Sequence, residues 1–168
     1  ARGAQVLPVG DPKWVIEARK DIGQREIKGP KHNGWIAKGW KRLGAGWYND
    51  DETPWCGFAV ADWLDRAGLP YPKNFPSAAS FAAYGEPCDA MLGAIGVKAR
   101  KGGNHVFLIV GITRGGQFYK ALGGNQSNAV TIMDIAVGDV NHIRWPSGVP
   151  RSNVLPFMPN GVISTNEA

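Results

Sequence analysis

Three side chains in this sequence are of the types needed for nucleophilic catalysis: Cys56, His105 and Asn125. A thiolate attacks a carbonyl, an imidazole within hydrogen-bond reach takes and returns its proton, and a third polar group orients the ring. The stretch Thr53-Pro54-Trp55-Cys56-Gly57-Phe58 reads as a helix start. Thr53 suits the N-cap and Pro54 the first helical position. Cys56 then falls at the third helical position, where free backbone N–H groups and the positive end of the helix dipole favour a thiolate. The backbone N–H of Cys56 is a natural oxyanion donor. The competing reading is a small buried hydrophobe, the commoner fate of a free cysteine.

His105 opens an apolar run, Gly102-Gly103-Asn104-His105-Val106-Phe107-Leu108-Ile109-Val110-Gly111. A lone histidine there is more often structural than catalytic. Arg114-Gly115-Gly116 reads as a hairpin turn, so the strand that follows folds back towards His105. His105 lies eight residues before Thr113, and Asn125 eight after Gln117, which makes them near neighbours on adjacent strands. Alternation along a strand puts Asn125 and Gln126 on opposite faces, so only one can face the ring. The other histidines compete poorly: His32 sits in a Lys/Gly/Pro loop, and His142 starts a short strand beside Arg144-Trp145-Pro146. A Cys56/His105/His142 zinc site falls far behind for want of further ligands. Asp50, Asp51 and Glu52 crowd one loop, but their spacing is not that of an EF-hand, and they suit a helix N-terminus instead. No metal and no cofactor is expected.

The elements that must position these residues are legible in outline. Apolar spacing predicts helices over about 12–22, from Asn33 to about Gly44, and over about 54–67. In the third, Cys56, Val60, Leu64 and Ala67 share a stripe widened by Phe58, Ala61 and Trp63, with Asp62, Asp65 and Arg66 opposite. Gly68 and Pro70 mark its end. Ser77–Ala83 reads as a short helix. Strands are expected at Met91–Val97, Val106–Thr113, Gln117–Leu122, Val130–Ala136 and His142–Trp145, with a tail beyond Pro146 that wraps the surface. Helices followed by a strand meander predict an α+β fold with an antiparallel sheet, in a single domain over 1–168 with a core at about 12–146.

The chain has 168 residues and a formal charge of +5. Residues 1–45 hold ten Lys/Arg against four Asp/Glu, and the remainder nine against ten. The basic segment favours an anionic partner such as a cell-wall polymer, a membrane surface or nucleic acid, or is simply a solvated face. No zinc-finger, helix-turn-helix or RNP-like signature supports nucleic acid. No apolar run is long enough to span a bilayer, and no signal-peptide core is visible. Two cysteines are too few for a disulfide scaffold, and a Cys56–Cys88 bridge would be inconsistent with a nucleophile.

Pro54-Trp55-Cys56-Gly57-Phe58-Ala59-Val60, then Asn104-His105-Val106, then Gly123-Gly124-Asn125-Gln126-Ser127 resemble the CHAP and NlpC/P60 superfamily of cysteine amidase/endopeptidases, in particular its phage- and bacteria-borne branch. The resemblance runs from about Pro12 to Pro146. It implies a papain-like fold with helices packed on an antiparallel sheet. It also implies cleavage of amide bonds in peptidoglycan through Cys56, His105 and Asn125. Many members carry Gly before the base, where this chain has Asn104, and many have a glutamate where Gly123 and Gly124 stand. Gln126 is therefore the rival to Asn125 as the third residue. Trp55, Tyr48, Asn104 and Gln126 flank the centre as candidate substrate contacts. The expected protein is a monomeric peptidoglycan hydrolase acting at the bacterial cell wall, without nucleic acid. The alternative is a wall-binding module with a degenerate site.

Overall fold

The computed structural model describes residues 10–25, 34–44 and 55–158. Tyr48, His32, Thr53, Pro54 and the acidic run 50–52 lie outside the described residues. Three helices come first: α1 (Lys13–Lys20), α2 (Gly34–Arg42) and α3 (Cys56–Arg66). A 3₁₀ segment follows at Ala78–Ala83. The strands are β1 (Glu86–Pro87), β2 (Ile95–Arg100), β3 (Gly103–Ile112), β4 (Phe118–Gln126), β5 (Ala129–Ala136) and β6 (Val140–Trp145). They form one sheet in the order β1-β6-β2-β3-β4-β5, antiparallel throughout. The chain is thus α+β.

α3 is the buried centre. Every residue from Cys56 to Leu64 is buried, including Asp62, which the apolar stripe placed on the opposite side. The reason is that α1 and α2 cover that side too. Asp62 accepts a hydrogen bond from Trp35 Nε1 at 2.9 Å and pairs with Arg42 and Arg66. Asp21 at the end of α1 accepts from Trp63 Nε1 at 2.9 Å and also pairs with Arg66. Buried carboxylates persist only when their lone pairs are met in this way. Leu64, Phe58 and Trp63 are fully shielded from water, each contributing on the order of 2 kcal/mol or more by burial.

Two glycines set how tightly the layers meet. A Cβ on Gly57 would lie 2.0 Å from the carbonyl oxygen of Phe75, in the loop before the 3₁₀ segment. A Cβ on Gly124 would lie 2.7–2.8 Å from Ala59 and the Trp55 ring. The start of β5, an edge strand, is capped by the segment after α1. Gly23 N donates to Val130 O and Val130 N to Gln24 O, both at 2.9 Å, along β5. The tail pairs rather than merely wraps: Ile112 N donates to Pro156 O and Met158 N to Ile112 O, both at 2.9 Å. Among the described residues no helix is long and apolar enough to cross a membrane.

Gly57→Ala should cost about 2 kcal/mol or more, because backbone must move to admit the methyl group. Gly34→Ala, where a Cβ meets nothing within 4 Å, should cost nothing measurable. Urea unfolding of the two variants checks the contrast.

Candidate active site

The helix that carries the thiol begins at Cys56 itself, with Trp55 as the N-cap, so the sulfur sits at the first helical position rather than the third. The first N–H groups of a helix have no partner within it. Here the N–H groups of Cys56 and Gly57 face the sulfur, joined by the N–H of Val106 from β3. That third N–H is available because the β3–β4 ladder runs from Ile112↔Tyr119 only as far as Leu108↔Leu122. Beyond that pair, the edge of β3 is open to the start of α3. Gly124 lets α3 come this close.

Cys56 is buried and free, and Cys88 is free as well. Burial pushes the Cys56 thiol pKa up. The Val106 N–H, the Arg100 charge and the helix-start N–H groups pull it down without reversing the net rise. The sulfur rests as a thiol, with donors already arranged for a thiolate.

His105 is 9% exposed. Its ring stacks on Phe107 with centroids 5.5 Å apart. Its Nε2 lies 2.9 Å from Gln126 Oε1. Of the two rivals for the third position, Gln126 is the residue bonded to the ring, and Asn125 is not. The cause is an irregularity in β4. Its pairing with β5 slips between Gly123↔Thr131 and Gln126↔Ala129, and Asn125 takes a left-handed conformation with φ 59°. Such a bulge reverses which side chains face which side. Ser127 and Asn128, with φ 56° and 60°, then close the two-residue turn into β5, as a hairpin of this length requires.

The Gln126 amide defines the tautomer of His105. Gln126 Nε2 donates to Ala121 O at 3.1 Å, Thr131 O at 2.8 Å and Thr131 Oγ1 at 3.2 Å. With the nitrogen so committed, Oε1 is the atom facing the ring, and His105 must donate to it from Nε2. The lone pair is therefore on Nδ1, the position of a general base. Burial lowers the His105 pKa to about 4, with Arg100 and Lys98 lowering it further and the Gln126 bond opposing them. The ring is neutral above that pH.

The thiol and the imidazole do not share a hydrogen bond; the sulfur's polar neighbours are backbone N–H groups. The absent Cβ of Gly124 faces Trp55 and Ala59 of α3, whereas that of Gly123 faces Gln126 Oε1 and Phe107. Of the four candidate substrate contacts, Trp55 is fully buried, edge-on to Trp35 at 6.0 Å, and belongs to the core. Gln126 is buried and holds His105. Asn104 is half-buried and its carbonyl accepts from Arg100 Nε at 3.1 Å. His142 lies exposed on β6, opposite Val97. Among the described residues no group of three or more His, Cys, Asp or Glu could hold a metal ion. A cleft of about 400 Å³ opens beside His105, Gln126 and Asn125 and is also lined by Lys98 and Arg100.

The depressed His105 pKa has a stability consequence. Below pH 6.5 the unfolded chain binds a proton that the folded ring refuses until about pH 4. Stability from this group is present above pH 6.5 and is lost as pH falls towards 4, up to ~3 kcal/mol. His105→Gln should flatten that part of the stability–pH curve in denaturant titrations.

The chain matches no protein-family model, no curated protein and no solved structure.

Proposed function

We propose that the protein is a cysteine amidase/endopeptidase of papain-like architecture that cleaves amide bonds in peptidoglycan. The observation that carries this reading is the His105–Gln126 pair. It leaves Nδ1 as a base, one residue along β3 from the Val106 N–H that touches the Cys56 sulfur. Hydrogen bonds of ligand-free catalytic centres are often long and tighten around substrate. In the proposed cycle the sulfur and the ring, still held by Gln126, draw together around substrate, and Nδ1 takes the thiol proton as Sγ attacks the carbonyl carbon. The N–H of Cys56 at the helix start meets the oxyanion. The amine leaves with the proton from Nδ1, and water hydrolyses the thioester by the same base. Gln126 Oε1 holds the ring and receives the Nε2–H throughout. The N–H groups around the sulfur lower the cost of the thiolate that this cycle needs, against the net rise that burial imposes.

The rival is a wall-binding module without catalysis, favoured by the raised thiol pKa and the missing thiol–imidazole bond. Iodoacetamide labelling of native protein across pH separates the two. An enzyme presents a Cys56 that reacts at neutral pH, and a binder an inert one.

Cys56→Ala should abolish lysis of purified cell walls, read as turbidity and released amino groups; undiminished lysis would sink the catalytic reading. Gln126→Ala should lower kcat by about 10²-fold through misplacement of the ring, with thermal unfolding run beside it to confirm the fold. Asn125→Gly, which keeps the left-handed backbone, should stay near wild type. The reverse pattern would return the orienting role to Asn125.

A further inference from the structure

The cleft beside His105 carries two cations from β2, Lys98 and Arg100. They are unequal. Lys98 is the cross-strand neighbour of both His105 and Val140. Asp139, the residue before Val140, also lines the cleft. Asp134, another acid of the cleft, is bound to Lys120 at 2.5 Å. Arg100 has no carboxylate partner among the described residues. It stands at the tip of the β2–β3 hairpin, paired with Gly103. Its Nε donates to Asn104 O at 3.1 Å. That bond anchors the exposed guanidinium one residue from the base and does not use its Nη groups. A guanidinium held by Nε presents its remaining N–H groups as a planar fork, the geometry that grips a carboxylate bidentately. Its charge acts on the sulfur and on the ring alike, which places it within range of both.

We infer that Arg100 recognises a carboxylate of the substrate close to the amide being cut, so that the preferred substrates are anionic peptides. This rests on the reading of Cys56 and His105 as the catalytic centre. It adds a selectivity that centre does not itself contain. Peptide stems of cell walls expose such carboxylates, and amidation of the carboxylate removes the charge while keeping the shape.

The test pairs one muropeptide in its free-carboxylate form with the same compound as its carboxamide. The kcat/KM ratio should favour the free acid by about tenfold, the range of a charge-assisted hydrogen bond at a partly solvated site. Arg100→Gln should bring that ratio to about one, and Arg100→Glu should invert it. Equal kcat/KM for both forms in the wild type, or a preference that survives both substitutions, overturns the inference. Calorimetric binding of the two muropeptides to Cys56→Ala keeps the question separate from catalysis. If no substrate is turned over but the free acid still binds more tightly in an Arg100-dependent way, carboxylate recognition stands and the catalytic reading falls. If neither turnover nor binding distinguishes the two forms, carboxylate recognition is overturned.

Discussion

The approach of α3 to β4 at Gly124 is the contact on which the rest of the site depends. Without a side chain there, Trp55 and Ala59 settle directly on the strand. That brings the first turn of the helix to the stretch of β3 that β4 leaves unpaired. Glycine in a strand costs about 0.5–1 kcal/mol in backbone entropy, and here the burial of Trp55 offsets it. Gly57 serves the same purpose on the next side of the helix, against the Phe75 carbonyl. A helix boxed in by glycines on two sides cannot slide, so the sulfur at its start has a fixed address.

Two opposing influences meet at that address. Burial disfavours charge on either partner, so the thiol and the imidazole both rest neutral. The backbone does the opposite, with three N–H groups around the sulfur and a carbonyl-type oxygen on the far nitrogen of the ring. In the proposed reaction these groups would meet the charges as they form. Dipoles fixed in place before charge appears are the ones that burial makes effective.

Much of the scaffold was legible in the sequence. The three helices follow their apolar spacing, and the β3–β4–β5 meander follows its turns, with Arg114-Gly115-Gly116 in the first loop. Within the site, the hairpin argument brought the right segment of β4 to His105 but set Asn125 ahead of its rival Gln126. The slip after Gly123 and the left-handed Asn125 are single-residue events that no periodicity records. Trp55 was read as a groove residue because nothing local says that Gly124 lies over it. Asp62 was legible as polar but not as buried, since its partners Trp35, Arg42 and Arg66 come mostly from elsewhere in the chain. β1 spans only two residues, and the bridge of Phe157 to Ile112 pairs segments 45 positions apart; both depend on long-range backbone bonds without a local signature.

The two-residue turn at Ser127-Asn128 also bears on the order of assembly. Contacts between residues near in sequence close at less entropic cost and faster than distant ones. The β4–β5 hairpin and the β2–β3 hairpin are both such local units, and the His105–Gln126 bond spans only 21 residues. Docking of α3 joins Cys56 to Val106 across a far longer loop. These separations favour setting the imidazole before the sulfur is enclosed. Until α3 docks, the burial that shields Cys56 in the folded protein is not yet in place, so an oxidising medium would find Cys56 and Cys88 together as unburied free thiols only in the unfinished chain.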